Sequence, residues 1–202
     1  MAFLLNDQFL PPADDSDDDE LQKLRHQLET GVPTEQQSAL DQLVARRAED
    51  VLLDCLQSKN IITIQLGTVG LWECWLNEAG PAARREMDQG IAHLEAGELV
   101  EALGVFAQLV EKHPNWAEAY NKQATALYLL GNARLGFKVC RTVVKLKPIH
   151  FGAWNGMALC AAQLEKWPEA LAAAKQGLAL QPTAQANLDL IQLAETKLRE
   201  GG

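Results

Sequence analysis

Cysteines and histidines are the residues of this chain that could bind a metal or exchange disulfides. Sites of either kind usually bring cysteine together with cysteine or histidine at short, regular spacing, such as C-x-x-C. Here the residues are scattered, and they are Cys55, Cys74, Cys140, Cys160, His26, His93, His113 and His150. The sequence therefore predicts no metal site. Cysteines that lie in apolar helical patterns are expected to act as small hydrophobic side chains.

Motifs that cradle phosphates, bind zinc or present a nucleophilic serine are also missing. The chain contains no G-x-x-x-x-G-K-[ST], no G-x-G-x-x-G, no H-E-x-x-H and no G-x-S-x-G. Only three serines are present, Ser16, Ser38 and Ser58. An active site needs polar groups that converge in one pocket, and no such set is visible. We therefore predict that the protein is not an enzyme and uses no cofactor.

Charge is distributed unevenly along the 202 residues. Residues 1–20 hold seven acids and no Lys or Arg, and so carry −7 of the net charge of −9. The segment 1–17 is predicted to be a disordered acidic tail, because "PPADDSDDD" can bury almost nothing. In contrast, residues 119–164 contain no Asp or Glu at all. The bases of this stretch are Lys122, Arg134, Lys138, Arg141, Lys145 and Lys147.

The elements that could position these residues are predicted to be helices. "DDDELQKLRHQLETG" (17–31) has three leucines on one helical face, Leu21, Leu24 and Leu28. A second, long helix is predicted near 35–58, with Thr34 and Gln37 as a capping box.

"NIITIQLGTVG" (60–70) is the one ambiguous segment, since its β-branched residues would also suit a strand. A lone strand would have no partner among helices, so we expect its end to continue into the helix "TVGLWECWLNEAG". Gly80 and Pro81 then mark a stop and a new start.

After residue 82 the chain repeats itself with a period of 34 residues, marked by Pro114, Pro148 and Pro182. Placing each proline at position 32 defines the repeats 83–116, 117–150 and 151–184. Small residues recur at positions 8 and 20, and they are Gly90, Ala124, Ala158, Ala102, Gly136 and Ala170. Position 15 is Gly97 or Gly131, and position 4 is aromatic in two repeats, as Tyr120 and Trp154. Such a unit is a helical hairpin in which small residues allow close helix approach and proline ends the second helix.

This pattern resembles the tetratricopeptide repeat (TPR), a helix–turn–helix unit of 34 residues. The resemblance covers 83–184, and more loosely 64–80 as a degenerate preceding hairpin. It implies an all-α, right-handed solenoid with N-terminal helices over 18–82 and a capping helix over 185–202, because stacked hairpins need covered ends. In the cap, Leu188, Ile191 and Leu198 are expected to pack back.

The resemblance also implies a concave groove lined by the first helix of each repeat. The residues that it assigns to a protein-binding groove are Met87, Ile91, Asn121, Thr125, Tyr128, Asn155 and Leu159. Asn121 and Asn155 occupy the same position one repeat apart, and an amide can both donate to and accept from a peptide backbone. Asparagine is also simply common near this position of such repeats.

Relatives in this family that bind the acidic tail of heat-shock chaperones share a carboxylate clamp of Lys, Arg and Asn. The equivalent places here hold Met87, Ile91, Lys122, Gly152 and Gly156, so the cations that the clamp requires are missing. The acidic tail of heat-shock chaperones is therefore not expected to be the partner.

The bases Arg134, Lys138, Arg141 and Lys145 step by four, three and four, which places them on one face of a helix. By resemblance this face is convex, and its partner could be an acidic protein, RNA or the chain's own tail. No exposed aromatics are expected to interleave with the charges, which disfavours nucleic acid. A solvated face is the ordinary interpretation.

We predict a non-catalytic protein-binding scaffold, an adaptor or assembly factor that uses the concave groove. The alternative is an RNA-associated factor that uses the basic face. No apolar run approaches the roughly 18 residues of a membrane span, and the cysteine usage favours a reducing compartment. The segments "LWECWLNEAG" and "PIHFGAWNGM" also loosely resemble short TPR proteins of bacteria and plastids. We therefore expect the bacterial cytoplasm, the eukaryotic cytosol or the chloroplast stroma.

Overall fold

A computed structural model describes residues 15–201, with side chains from residue 17 onward. The described residues form eleven α-helices and no strand. The helices are α1 Asp15–Thr30, α2 Pro33–Ala45, α3 Glu49–Cys55, α4 Ile61–Leu76, α5 Pro81–Glu95, α6 Leu99–Lys112, α7 Ala117–Leu129, α8 Ala133–Leu146, α9 Phe151–Gln163, α10 Trp167–Leu180 and α11 Gln185–Glu200. The fold class is therefore all-α, as predicted. Of the tail predicted to be disordered, residues 1–14 lie outside the described residues, whereas the prediction is wrong for residues 15–17, which already belong to α1.

Helices α5 to α10 form three stacked hairpins, α5–α6, α7–α8 and α9–α10, and α11 follows them. Each hairpin turns through a residue with positive φ at position 15 of the predicted repeat. These residues are Gly97 (φ 77°), Gly131 (φ 79°) and Glu165 (φ 56°). The two helices of a hairpin approach closely where the small residues lie. A Cβ atom at Gly90, for example, would be only 2.5 Å from Cε1 of Phe106.

The predicted long helix near 35–58 is wrong, because the chain breaks at Arg47, which has φ 53°. Two helices, α2 and α3, result. The predicted capping box is also misplaced, since α2 begins at Pro33 and the Glu35 carboxylate accepts the backbone N–H of Val32 at 3.1 Å. The ambiguous segment 60–70 is helical from Ile61, and the Asn60 side chain caps it by accepting the N–H of Ile62 at 3.0 Å.

Helices α1 to α4 form a bundle around a core of leucine and tryptophan. This bundle does not extend the stack of hairpins. It lies along one edge of the stack, against the loops that join successive hairpins, and α4 crosses all three loops. Trp116 Nε1 donates to the carbonyl of Trp75 at the first loop (2.7 Å), and Gln181 donates to Thr68 at the third (3.3 Å).

Two expectations about the stack's first end are therefore wrong. Residues 64–76 belong to the single helix α4, so they form no hairpin. The upstream helices cover an edge of the solenoid instead of capping its first repeat, because α4 is apolar on several faces and buries Trp72 and Trp75 against the second loop.

The last helix, α11, covers the other end with a different face from the predicted one. Its buried residues are Asn187, Leu190 and Ala194, with Ile191 partly buried. Leu188 and Leu198 are exposed. Gln192 and Glu195 stand one period after the buried Ala158 and Ala161, so polar side chains replace the surface on which a further helix would pack.

No helix within residues 15–201 is long and apolar enough to span a bilayer.

Candidate binding groove

The concave side of the solenoid contains a cavity of about 220 Å³ between α7 and α9. Five of the seven predicted groove residues line it together, and they are Asn121, Thr125, Tyr128, Asn155 and Leu159. Cys140 of α8 and Cys160 of α9 form part of its wall. The stacking of the second and third hairpins thus brings into one pocket residues that lie up to 39 positions apart, from Asn121 to Cys160.

Met87 and Ile91 do not belong to this pocket. Met87 is fully buried, and Ile91 packs partly buried against the same cluster between α5, α6 and the start of α7. Leu76 and Ala79 pack against that cluster as well, since the chain turns from α4 into α5 at this point. The groove of the first repeat is therefore filled by the molecule itself.

Asn121 is engaged in a buried polar network. Its Nδ2 donates to Oε2 of Glu118 at 3.1 Å, and Nε2 of His150 lies 2.8 Å from the same oxygen. Nδ1 of His150 accepts the N–H of Ala153, which leaves Nε2 as the donor toward Glu118. Both Glu118 and His150 are completely buried, so the network holds α7 against the start of α9.

Asn155, in contrast to Asn121, has an amide oxygen that accepts no hydrogen bond within the described residues. This oxygen, Oδ1, is also buried. A buried amide oxygen without a partner costs roughly 1–3 kcal/mol, which a ligand's N–H group could recover. The equivalent asparagines of repeats two and three therefore differ, because the amide of Asn121 is held by Glu118 whereas Oδ1 of Asn155 has no partner within the described residues.

Sequence reasoning did not find the residue that closes one end of the groove, Trp72 of α4. Its ring lies so near Gly152 that a Cβ there would be 2.6 Å from Cη2 of the indole. The ammonium of Lys122 lies 5.2 Å from the centre of the same ring and 3.2 Å from Oε1 of Glu118. A glycine at position 2 of a repeat was the available signal that another group must approach there.

The predicted basic face is smaller than expected. Lys122 lies at the groove, as described above. Lys147 is only 14% exposed in its side chain and bridges Glu49 (2.9 Å) and Glu78 (3.4 Å) of the N-terminal bundle. The remaining bases are exposed on α8 and form no ion pair within the described residues, and they are Arg134, Lys138, Arg141 and Lys145.

Two convex furrows flank α8. The larger, about 660 Å³, lies between α8 and α10 and is floored by Phe137, Trp154 and Met157. The smaller, about 420 Å³, lies between α6 and α8, and Tyr120 stands in it where Trp154 stands in the first. The position-4 aromatics thus line open furrows and are not sealed between hairpins.

No protein-family model matches the chain. A TPR repeat-containing protein of Rhizobium etli is 35% identical over 57 residues, which are 28% of this chain. The match likewise spans only 28% of the length of that relative.

Solved structures resemble the chain over much more of its length. The first TPR of Spaghetti (RPAP3) bound to an HSP90 peptide has a TM-score of 0.57 at 18% identity, over 58% of this chain and 93% of that one. The Sgt2 TPR domain of Aspergillus fumigatus has a TM-score of 0.58 at 16% identity, over 60% and 82%. The TPR2AB domain of yeast Sti1 in its pHSP90 complex covers 90% of this chain and 81% of that one, with a TM-score of 0.55 at 14% identity. At sequence identities of 14–18%, these structural matches show likeness of fold alone.

Proposed function

Because the chain has the fold of tetratricopeptide-repeat domains, we propose that it is a non-catalytic scaffold that binds a protein partner through the cavity between α7 and α9. The observation that carries the proposal is the unpartnered, buried Oδ1 of Asn155 in the wall of that cavity. This oxygen can accept a hydrogen bond from an N–H group, and a peptide backbone supplies one at every residue except proline.

The chemistry of the cavity suggests what the partner offers. Tyr128 and Leu159 provide apolar surface, while Thr125 and Asn155 provide polar atoms. A cavity of this size accepts one side chain of an extended segment while the neighbouring backbone pairs with Asn155. Spaghetti was solved bound to an HSP90 peptide, and Sti1 in its pHSP90 complex. In this chain the only base at the groove, within the described residues, is Lys122, and Glu118 already neutralises it. We therefore propose an apolar, uncharged segment as ligand, in an adaptor or assembly role.

Affinity capture tests this proposal. The full-length protein, Asn155→Leu and Asn115→Leu are immobilised and incubated with lysate of the source cell, and the retained proteins are quantified by mass spectrometry. Asn155→Leu should lose at least tenfold of a specific protein that the wild type retains. Asn115 is exposed in the loop between α6 and α7, so its variant should retain that protein. Equal retention by Asn155→Leu, with an unchanged circular dichroism spectrum, would contradict the proposed site.

The α8 face is the second candidate surface, because its four bases have no acidic partner within the described residues and lie beside aromatic furrows. An RNA-associated function would use it. The deciding comparison is a variant with Arg134, Lys138, Arg141 and Lys145 changed to Glu, with and without RNase in the capture. Loss of RNase-sensitive partners in this variant alone, with Asn155→Leu unaffected, would favour the RNA-associated function over the groove.

A further inference from the structure

Two cysteines lie at the contact between α8 and α9, each against a glycine of the opposite helix. Cys140 of α8 packs against Gly156 of α9, and Cys160 of α9 packs against Gly136 of α8. Added Cβ atoms at these glycines would lie 3.3 Å and 3.0 Å from the two sulfur atoms. With no side chain at either glycine, the two backbones come close together, which a bond between cysteine side chains on neighbouring helices requires.

Both cysteines also belong to the wall of the groove cavity. Cys140 and Cys160 are each about 1% exposed, yet both line the cavity of about 220 Å³. The volume of this cavity is several times the roughly 30 Å³ that one water molecule occupies in the liquid. A small solute can therefore meet the sulfur atoms, whereas a folded protein cannot.

The two thiols also influence each other's ionisation. The interaction with Cys160, together with burial, raises the pKa of the Cys140 thiol. The same interaction lowers the pKa of Cys160, although burial acts in the opposite direction. Of the two thiols, Cys160 therefore has the lower pKa and is the first to ionise. The thiolate is the nucleophilic form of cysteine.

The other two cysteines provide a comparison within the same molecule. Cys55 and Cys74 are buried free thiols in the N-terminal bundle, and no other thiol is among the groups that shift the pKa of either. Burial raises the pKa of each of them to about 11. They are expected to be inert toward mild oxidants.

We propose that Cys140 and Cys160 form an oxidation site for small hydroperoxides, which converts the dithiol into a disulfide between α8 and α9. The Cys160 thiolate attacks one oxygen of hydrogen peroxide, the O–O bond breaks, and the departing hydroxide takes up a proton as water. This leaves sulfenic acid on Cys160. The sulfur of Cys140 then attacks the Cys160 sulfur and displaces the hydroxyl group, which leaves as water with the Cys140 proton.

The balance of the reaction is two thiols and one hydrogen peroxide giving one disulfide and two waters. Two electrons pass from the sulfur pair to the peroxide. The product ties the second hairpin to the third at the wall of the groove cavity. The chemistry of this site is independent of any partner that the groove binds, and so is its test.

The test begins with the full-length reduced protein, freed of reductant and treated with equimolar hydrogen peroxide. Remaining thiols are alkylated, and the protein is digested and mapped by mass spectrometry. We expect two of the four thiols to escape alkylation, a mass lower by about 2 Da before alkylation, and a cross-linked peptide that joins Cys140 to Cys160. Reductant should restore all four thiols.

Single variants assign the roles. Cys140→Ser should stop the reaction at sulfenic acid on Cys160, which dimedone traps. Cys160→Ser should slow the oxidation of Cys140 at least tenfold, because no thiolate remains at the pair. A Cys55→Ser, Cys74→Ser double variant should form the disulfide in unchanged yield.

The same treatment in urea supplies the control for geometry, since unfolding should abolish the preference for this pair. If all four thiols of the folded protein can still be alkylated after the peroxide treatment, the proposal is overturned. A disulfide that includes Cys55 or Cys74, or that joins two molecules, would overturn it equally.

Discussion

The N-terminal bundle and the stacked hairpins bury their surfaces in opposite ways. In the bundle, the fully buried side chains are large, such as Leu28, Leu43, Leu52 and Trp75. In the second and third hairpins they are mostly alanines, such as Ala119, Ala126, Ala158, Ala161 and Ala174. Large side chains fill space between helices that stand apart, whereas alanine and glycine let helices touch nearly backbone to backbone.

This difference predicts which kind of substitution should destabilise each region. The bundle depends on the volume of its side chains, so truncation should harm it most. The hairpins depend on small side chains at particular positions, so a larger side chain at one of these positions should destabilise them. The two regions meet at Trp75, whose ring stacks on His150 with centroids 4.2 Å apart. Through His150 the bundle is joined to the Glu118 network at the groove.

The largest effect is expected for Trp75→Ala. The side chain is fully buried, and Nε1 also donates to Glu49 at 3.1 Å. Truncation of a buried aromatic costs about 3–5 kcal/mol of unfolding free energy. Urea unfolding followed by circular dichroism measures the loss. A cost below about 1 kcal/mol would show that the bundle does not depend on this volume.

Trp154→Ala is the matching truncation in the hairpins. Trp154 is only partly buried, lines a convex furrow, and donates Nε1 to the carbonyl of Pro148 at 2.8 Å. We expect a cost of about 2 kcal/mol, because part of the ring already contacts water and leaves less transfer free energy to lose. The same urea titration checks it. A loss as large as that of Trp75→Ala would contradict the contrast between the regions.

Gly90→Ala tests the addition of volume. The new Cβ would lie 2.5 Å from Cε1 of the buried Phe106, so the ring or the helix must move. Gly104 is the matched control, since it lies within α6 with nothing within 4 Å of an added Cβ.

Both changes gain the roughly 1 kcal/mol by which alanine exceeds glycine in a helix interior. Gly104→Ala should show that gain, while Gly90→Ala should end about 1 kcal/mol below the wild type, because overpacking costs about 1–3 kcal/mol. Thermal and urea unfolding measure both variants. Equal stabilisation by the two would mean that the first hairpin tolerates the extra methyl group.

The same contrast explains which parts of the structure could be predicted. Prolines, glycines and alanines at a 34-residue period describe local, repeated geometry, so the hairpins follow from the sequence. The position of the bundle does not, because the contacts of Trp72 and Trp75 with the loop at His150 join residues about 75 positions apart and carry no periodic signal. The helix break at Arg47 could not be predicted, because a positive φ is usually indicated by glycine and this position holds arginine.

At the groove, Asn121 and Asn155 occupy one equivalent position of the repeat, and that position by itself does not separate their roles. The neighbours at position 2 do separate them. Glu118 precedes Asn121 by three residues and binds its amide, whereas the residue three before Asn155 is Gly152, which offers no side chain. Residues at i and i+3 face each other on a helix, so this difference was visible in the sequence.

The smallest expected effect concerns the turns, where each region contains one non-glycine residue with positive φ. Glu165 has φ 56° at the position that Gly97 and Gly131 occupy in the earlier hairpins. A left-handed conformation costs a non-glycine residue roughly 1–2 kcal/mol, and glycine avoids this at some cost in unfolded-state entropy. Glu165→Gly should therefore stabilise the protein by about 0.5–1 kcal/mol.

Arg47 is the counterpart in the bundle, with φ 53°. Its guanidinium donates to the carbonyl of Glu78 at 3.2 Å and so ties the turn between α2 and α3 to the end of α4. Arg47→Gly relieves the same strain but loses this bond, which is worth about 1 kcal/mol, so its net effect should be close to zero. Differential scanning calorimetry of both variants resolves the difference. If Arg47→Gly stabilises as much as Glu165→Gly, the bond from Arg47 contributes nothing, and the bundle gains no stability from its link to the end of α4.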